Sequence, residues 1–384
     1  MTTFFATATP GLEAFAAQEL RALGLLPPAQ DNSPAEEPGG VTFQGGLADL
    51  YRANLHLRTA GRVLVRLGEF YADTFPDLRK KASKLEWNRY LVPGQPVSLA
   101  VTCHKSRLYH SNAVAERVLA AIGDRLGKVP PLLKAAEDDP SSPAQRVIVR
   151  FTNDECTISI DSSGDLLHRR GYRLATAKAP LRENLAAAML LASGWDAAAP
   201  LLDPFCGSGT IPIEAALLAK NIAPGIDRRF AFMDWPGYDP RAWEAQRSMA
   251  RAAAAARPGS MPILQASDRD AGAIRMAQAN AERAGVADCI EFTCRAVSAI
   301  QAPPDPGWVV TNPPYGQRVS EGKDLRNLYA QLGNVLRAAC PNWHVAILCS
   351  DPRLLGQTSL RLDTRLAFSN GGINVRLGLG AVTA

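Results

Sequence analysis

The sequence predicts an α/β protein in which a doubly wound sheet follows a smaller α+β module. After about residue 165, apolar runs alternate with helical patterns of ten to fifteen residues, which is typical of a parallel sheet covered by helices. Before that point, strand and helix patterns alternate without βαβ regularity. A chain of 384 residues is long enough for two or three domains. We therefore predict one or two small α+β units before about residue 165 and a doubly wound unit after it.

The composition indicates a globular protein, since 47% of the residues are hydrophobic and 21% are charged. No Lys or Arg precedes position 21, so we expect neither a signal nor a transit peptide. No apolar run reaches about 18 residues, so we expect no membrane span. The seven cysteines form no C-x-x-C pair and the chain has only five histidines. This favours a reducing, cytoplasmic location and argues against a structural zinc site.

The N-terminal module is predicted to interleave short strands with amphipathic helices. The strands are predicted at 4–8, 41–43, 62–67, 97–103, 145–152 and 156–160, and the helices at 11–23, 47–57, 74–85 and 110–126. Between residues 50 and 134 the chain holds 15 Lys and Arg against 6 Asp and Glu. The candidates for phosphate contacts there are Lys80, Lys81, Lys84, Arg89, Lys105 and Arg107. On charge alone, a solvated basic face explains this segment about as well as nucleic-acid binding does.

In the C-terminal part, strand patterns alternate with helical ones. Strands are predicted at 201–202, 261–266, 289–294, 308–311, 345–349 and 364–368, and helices at 181–193, 211–220, 271–284 and 325–339. Ligands of such sheets bind outside the carboxyl ends of the strands, near the point where strand order reverses. Motifs at strand ends are therefore the candidates for a site.

The first such motif, DPFCGSGT, ends a strand and opens a helix. Gly207 and Gly209 would let backbone N–H groups approach a ligand at the positive end of that helix. The motif lacks the third glycine of a dinucleotide fingerprint and the Gly-Lys-Ser/Thr ending of a P-loop. A tight structural turn is the alternative interpretation. The candidate cofactor-binding residues are Asp203, Pro204, Phe205, Cys206, Gly207, Ser208, Gly209 and Thr210.

The second motif is an acidic residue after the next strand. Asp268 is placed to accept hydrogen bonds from both hydroxyls of a ribose, whereas Asp270 is nearer the following helix and is predicted to cap it. The 61 residues that separate Gly207 from Asp268 far exceed the roughly 20 of a simple nucleotide-binding unit. We therefore interpret residues 221–258 as an insertion.

The third motif is TNPPYGQR at 311–318, directly after a buried strand. The side-chain oxygen of Asn312 and the carbonyl of Pro313 can both accept from one amino group, and Tyr315 offers a ring for a base to stack on. An exocyclic amine on a nucleobase is a poor nucleophile because its lone pair is delocalised. Two fixed acceptors would orient that lone pair toward an electrophile. A surface turn is the alternative.

Together, these motifs resemble the class I S-adenosyl-L-methionine (SAM)-dependent methyltransferases that modify base amino groups. The longer stretches LHRRGYR, APLREN and NIAPGIDRRFAFMDW resemble the RlmL family of ribosomal RNA guanine-N2 methyltransferases. That resemblance implies a ferredoxin-like unit over 1–55, an RNA-binding THUMP domain over 56–165 and a Rossmann-like methyltransferase domain over 166–384. Many members carry a second methyltransferase, which we do not expect within these 384 residues.

The resemblance also implies roles for individual residues. It places the methionine part of SAM against Asp203 to Thr210, the ribose on Asp268, and the target base on Asn312, Pro313 and Tyr315. Arg269 and Ala296 complete the cofactor set. Where this class often has an acid for the adenine amino group, this chain has Arg295. Adenine recognition would then depend on the backbone around Arg295 and Ala296.

By the same resemblance, the substrate is a guanine flipped out of 23S ribosomal RNA, free or in an assembly particle, and the product is N2-methylguanosine. The alternatives are a tRNA guanine-N2 methyltransferase and a non-catalytic RNA-binding or ribosome-assembly factor. DNA adenine methylation shares the NPPY motif, but the THUMP resemblance argues against it. Pyrimidine C5 methylation needs a cysteine nucleophile, and Cys206 and Cys294 are misplaced for that task. No metal is expected.

Overall fold

A computed structural model describes the chain in six ranges, which are 1–28, 36–133, 143–173, 181–257, 259–315 and 325–383. The chain divides into two compact units. The first consists of Met1–Ala8, Ala17–Leu167 and Arg228–Ser248, and the second of Thr9–Ala16, His168–Asp227 and Met249–Ala384. The segment Arg228–Ser248, inside the predicted insertion, thus belongs to the first unit. The predicted boundaries at 55 and 165 stay predictions.

The first unit is built on a seven-stranded sheet, counted over the described residues. Its strands are β1 Thr2–Thr7, β2 Glu36–Glu37, β3 Gly40–Gly45, β4 Arg62–Tyr71, β5 Val97–His104, β6 Gln145–Thr152 and β7 Glu155–Asp161. The strand order is β2-β3-β1-β4-β7-β6-β5, and all neighbours are antiparallel except the parallel pair β5 and β6. Buried Val147, Val149 and Phe151 alternate with more exposed residues along β6, as expected when one face packs on a core.

Short helices and turns accompany this sheet. They are α2 Leu47–His56, α3 Phe75–Ala82 and α4 Ser111–Leu126, with 3₁₀ turns at Trp87–Arg89 and Ala231–Asp234. Helix α1 Glu13–Ala22 begins in the second unit and ends in the first. Local sequence sets two of their ends. Helix α3 begins after Thr74, whose hydroxyl accepts a hydrogen bond from the Asp77 N–H. Helix α4 ends at Gly127, whose φ of 76° suits glycine.

The second unit is built on a mostly parallel sheet of eight strands within the described ranges. They are β8 Leu201–Asp203, β9 Leu264–Asp268, β10 Ile290–Cys294, β11 Trp308–Thr311, β12 His344–Cys349, β13 Leu362–Asp363, β14 Ala367–Asn370 and β15 Ile373–Ala381. The order is β10-β9-β8-β11-β12-β15-β13, with β14 also paired to β15. Strands β8 to β12 run parallel, whereas β15 is antiparallel to β12. Strand order reverses between β8 and β11, so the carboxyl ends of β8, β9 and β11 meet at one edge.

Helices complete the core of this unit. They are α5 Glu183–Ala192, α6 Thr210–Ala219, α8 Ala271–Arg283, α9 Arg326–Ala339 and α10 Pro352–Gln357, with 3₁₀ turns at Ala287–Cys289 and Val297–Ala299, while α7 Pro240–Ala255 begins in the first unit and ends in the second. Helix α6 is largely apolar, is buried along nearly its whole length and packs against β8, β9 and β10. This burial fixes the glycine turn that precedes the helix.

The alternation of strands and helices confirms the predicted fold class, but some boundaries differ. The strand predicted at 261–266 begins only at Leu264, and the one predicted at 364–368 is replaced by β13 and β14. Strand β15 was not predicted because it contains Gly378 and Gly380, and glycine has a low strand propensity. A Cβ at Gly380 would collide with the carbonyl oxygen of Arg361, so the packing requires glycine there.

Among the described residues, no helix is long and apolar enough to cross a membrane.

Candidate active site

The glycine turn lies between β8 and α6, at the edge where the strand order reverses. Asp203, at the end of β8, is only 1% exposed, and its carboxylate accepts hydrogen bonds from the Thr311 hydroxyl (2.7 Å) and the Phe205 N–H (3.2 Å). Burial raises the pKa of Asp203 from 3.8 to about 7; the two hydrogen bonds oppose this shift and the charge of Asp268 adds to it. The end of β8 is thereby tied to the end of β11.

The two positions of the turn favour glycine for different structural reasons. Both have positive φ, 51° at Gly207 and 84° at Gly209. A Cβ at Gly207 would meet no atom within 4 Å, so this position opens onto free space. At Gly209, by contrast, a Cβ would lie 2.9 Å from the Cβ of Ala277 on α8. Gly209 therefore allows close packing, and Gly207 leaves room for a ligand.

The N–H groups of these glycines were expected to approach a ligand, but both donate hydrogen bonds within the protein. Gly207 donates to Oδ2 of Asp268 (3.1 Å) and Gly209 donates to the Cys206 carbonyl (2.8 Å). The carboxylate of Asp268 stands beside the turn and competes for the first of these donors. The turn can thus offer a ligand space and shape, while its two glycine N–H groups hold the turn together.

Asp268 ends β9, and its carboxylate connects this strand end to the glycine turn. Its Oδ1 accepts from the Asp270 N–H (3.0 Å) and its Oδ2 from Gly207. Each carboxylate oxygen has two lone pairs, so both can still accept from a hydroxyl. Asp270 accepts from the Gly272 N–H (2.7 Å) at the start of α8, which confirms its predicted role as the N-cap.

The remaining cofactor candidates lie around these two strand ends. Pro204, Cys206 and Thr210 are buried, Phe205 and Ser208 are partly exposed, and Arg269 and Ala296 are exposed. Burial also raises the pKa of the Cys206 thiol. The N–H of Arg295 donates to the Asp268 carbonyl (3.0 Å), so the segment that contains Ala296 is attached to the end of β9.

Asn312 follows the last residue of β11 and carries an isolated acceptor. Its Oδ1 is buried and has no hydrogen-bond partner in the part of the chain that the structure describes. Such groups are rare because a buried acceptor without a donor costs about 1–3 kcal/mol. The neighbouring Pro313 is buried as well. An unpaired oxygen at a ligand-binding edge is what an incoming amino group could satisfy.

Two buried tyrosines hold the NPPY segment. The Tyr315 hydroxyl accepts from Nδ2 of Asn370 (3.0 Å), and the Tyr329 hydroxyl donates to the Pro314 carbonyl (3.3 Å). Tyr315 is 9% exposed, so little of its ring is open to a base in this conformation. Its stacking role stays a prediction. Residues 316–318, the end of the TNPPYGQR motif, lie outside the described residues.

Several residues of the site were not predicted from the sequence. Asn280 on α8 is fully buried and donates from Nδ2 to the Ser208 carbonyl (2.9 Å). Arg173 donates to the Thr210 hydroxyl (2.8 Å). Thr311 stands in the third motif, but sequence reasoning gave it no role. The available signal for Asn280 was a polar residue on the apolar face of a predicted helix.

The basic candidates of the first unit are exposed, apart from the half-buried Lys81. Three of the six form ion pairs: Lys81 with Asp77 (2.7 Å), Arg89 with Glu86 (2.8 Å) and Arg107 with Asp73 (2.5 Å). Lys80, Lys84 and Lys105 form none with the residues that the structure describes. Among the six candidates, these three lysines are therefore the ones whose charge is not paired with a described carboxylate.

No group of three or more His, Cys, Asp or Glu side chains that could hold a metal ion occurs among the described residues. Four of the seven cysteines are buried, namely Cys156, Cys206, Cys340 and Cys349.

Comparison with known proteins gives matches along most of the chain. The RlmL ferredoxin-like domain matches residues 3–64, the THUMP domain matches residues 72–161, and the RMKL-like methyltransferase domain matches residues 170–376.

Individual relatives agree with these matches. The ribosomal RNA large subunit methyltransferase K/L of Syntrophotalea carbinolica is 37% identical over 383 residues, which cover 97% of this chain and 53% of that protein. The chain thus spans about half the length of such relatives. The putative RNA methyltransferase slr0064 of Synechocystis is 36% identical over 375 residues, covering 96% of this chain and 94% of that protein.

Among solved structures, the putative methyltransferase SMU.472, complexed with SAH, matches with a TM-score of 0.85 and 30% identity over 98% of this chain and 97% of that one. The family resemblance seen in the sequence is confirmed: the chain belongs to the RMKL-like methyltransferase family.

Proposed function

We propose that this chain is a SAM-dependent RNA methyltransferase that methylates the N2 amino group of a guanine in large-subunit (23S) ribosomal RNA. The observation that carries the proposal is the buried, unpartnered Oδ1 of Asn312 at the carboxyl end of β11, among the described residues. It stands directly after Thr311, whose hydroxyl holds Asp203 of the glycine turn. An amine acceptor and a candidate cofactor turn are therefore linked through adjacent residues.

The residues of the turn fit SAM. Gly207 opens onto free space, and the half-buried carboxylate of Asp268 keeps lone pairs for the two ribose hydroxyls. The similar protein SMU.472 was solved with SAH, the product that SAM leaves after methyl transfer. When bound, SAM supplies an electrophilic methyl group on a sulfonium.

Asn312 and Pro313 would activate the target amine by orientation. Guanine N2 has two hydrogens, which the Oδ1 of Asn312 and the carbonyl of Pro313 can accept. Held in this way, the nitrogen turns its lone pair out of the ring plane and toward the methyl donor. Removing one preorganised group of this kind typically costs about 10²–10³ in kcat. The proton that the amine loses passes to water after the transfer.

The first unit would bind the RNA. Lys80, Lys84 and Lys105 are exposed and suited to phosphate contacts, which position an RNA without reading its sequence. The target guanine would leave its stack to reach Asn312 and Pro313. Ribosomal RNA is favoured as substrate by the K/L relatives, which are named for it.

The test is mass mapping of ribosomal RNA and tRNA from cells that lack the gene. We expect one N2-methylguanosine to disappear from large-subunit RNA, and to return with the wild-type chain but not with Asn312→Ala. Asn327→Ala, at an exposed asparagine on α9, is the matched control and should restore the mark. Calorimetry should show the same SAM affinity for Asn312→Ala as for the wild type.

Each other outcome has a distinct meaning. Loss of the mark from tRNA alone would identify a tRNA enzyme. No lost mark and no SAM binding would favour a non-catalytic assembly factor. Normal turnover by Asn312→Ala would show that the proposed activation of the amine is wrong.

A further inference from the structure

Helices α3 and α4 of the first unit pack against each other and leave a cavity of about 530 Å³ on the surface. Its lining residues are Phe75, Pro76, Arg79, Lys80, Arg117 and Asp124. The volume lies within the roughly 300–1,000 Å³ of ligand pockets. Of these six residues, only Lys80 was singled out from the sequence.

The charges of the cleft favour an anion. Arg79 donates two hydrogen bonds of 2.7 Å to Asp124, so the one carboxylate among the described lining residues is already paired. Lys80 and Arg117 are exposed and leave a net positive charge. A phosphate group is therefore complementary to this surface.

The cleft also contains flat surfaces. The guanidinium carbon of Arg117 lies 5.8 Å from the centroid of the Phe75 ring, within the range of a cation–π contact. Phe75 is half-buried, which fixes the ring at the wall of the cleft. Nucleobases stack both on aromatic rings and on guanidinium planes.

We propose that this cleft binds one unpaired nucleotide of the RNA, with its base stacked on Phe75 and Arg117 and its phosphate at Lys80. The inference rests on the proposed function and deepens it, because it distinguishes single-stranded from duplex RNA. A base inside a duplex is already stacked on its neighbours and cannot enter. An acidic peptide would use the cations but not the flat faces.

The test measures RNA binding by fluorescence anisotropy at a fixed salt concentration. The probe is a fluorescein-labelled RNA of about 12 nucleotides, either single-stranded or in a blunt duplex. This length exceeds a single stacking site. Phe75→Leu removes the aromatic face but keeps an apolar side chain, and Arg117→Ala removes the guanidinium. Arg125→Ala is the matched control, since Arg125 is exposed on α4 but does not line the cleft. We expect the two cleft variants to weaken single-strand binding by about tenfold, and duplex binding by less than about twofold.

The proposal is overturned if Arg117→Ala and Arg125→Ala weaken both RNAs equally, because the cleft then contributes charge alone. It is also overturned if polyglutamate of equal charge displaces the single strand as well as unlabelled RNA does. Failure of the wild type to bind either RNA would overturn the RNA part of the proposed function too. Calorimetry with SAM on the same preparations shows whether the methyltransferase part stands independently.

Discussion

Replacing Asn312 with alanine is expected to stabilise the protein while it abolishes most of the activity. The Oδ1 of Asn312 is buried without a donor among the described residues, and such an acceptor costs about 1–3 kcal/mol. Alanine removes that cost and, with respect to the described residues, loses only the packing of a partly exposed side chain. We expect the free energy of unfolding to rise by about 1 kcal/mol.

Asn280 provides the opposite case within the same unit. It is fully buried, donates to the Ser208 carbonyl at 2.9 Å and accepts from Arg283. Asn280→Ala removes the donor to the Ser208 carbonyl and the acceptor for the exposed Arg283, and opens a small cavity. The expected loss is about 2 kcal/mol, so the two variants should differ by about 3 kcal/mol, with effects of opposite sign.

Urea unfolding monitored by circular dichroism measures this difference, provided that the slopes agree between variants. Methyl transfer by the same Asn312→Ala preparation should fall by about 10²–10³. If Asn312→Ala lowers the urea midpoint as much as Asn280→Ala does, Oδ1 of Asn312 has a partner in the native protein. The inference from its isolation would then be wrong.

Three further predictions concern other parts of the molecule. The pKa of Asp203 is raised to about 7 in the folded protein, whereas the unfolded chain loses this proton near the ordinary pKa of 3.8. The free energy of unfolding should therefore fall as the pH rises from about 4 to 7. Asp203→Asn should flatten that part of a plot of urea midpoint against pH. Tyr329→Phe removes the hydrogen bond to the Pro314 carbonyl and should lower kcat by about tenfold without changing SAM affinity. An equal loss of SAM affinity would contradict the inference that Tyr329 acts only on the NPPY segment. Lys80→Ala and Lys84→Ala should each weaken RNA binding and reduce the salt slope by about one, and an unchanged slope would exclude a phosphate contact.

Much of the fold could be predicted from local patterns. Apolar runs and helical spacing located β8, β11 and β12 and the helices α6, α8 and α9, because buried parallel strands and amphipathic helices leave strong periodic signals. The C-terminal antiparallel strands were harder to predict from the sequence. Glycines within β15 weaken its pattern, and the one at Gly380 is required by a close approach that only the paired chain reveals.

The sequence by itself determined the kind of fold and the residues that stand at its strand ends. Asp203, Asp268 and Asn312 each end or follow an apolar run, and parallel strands bring such positions to one edge. Only the tertiary structure decided how these residues are held. Thr311 reaches Asp203 across 108 positions, and Asn280 reaches Ser208 across 72. Contacts over such separations depend on packing and leave no local pattern, and the same is true of the isolation of the Asn312 oxygen among the described residues.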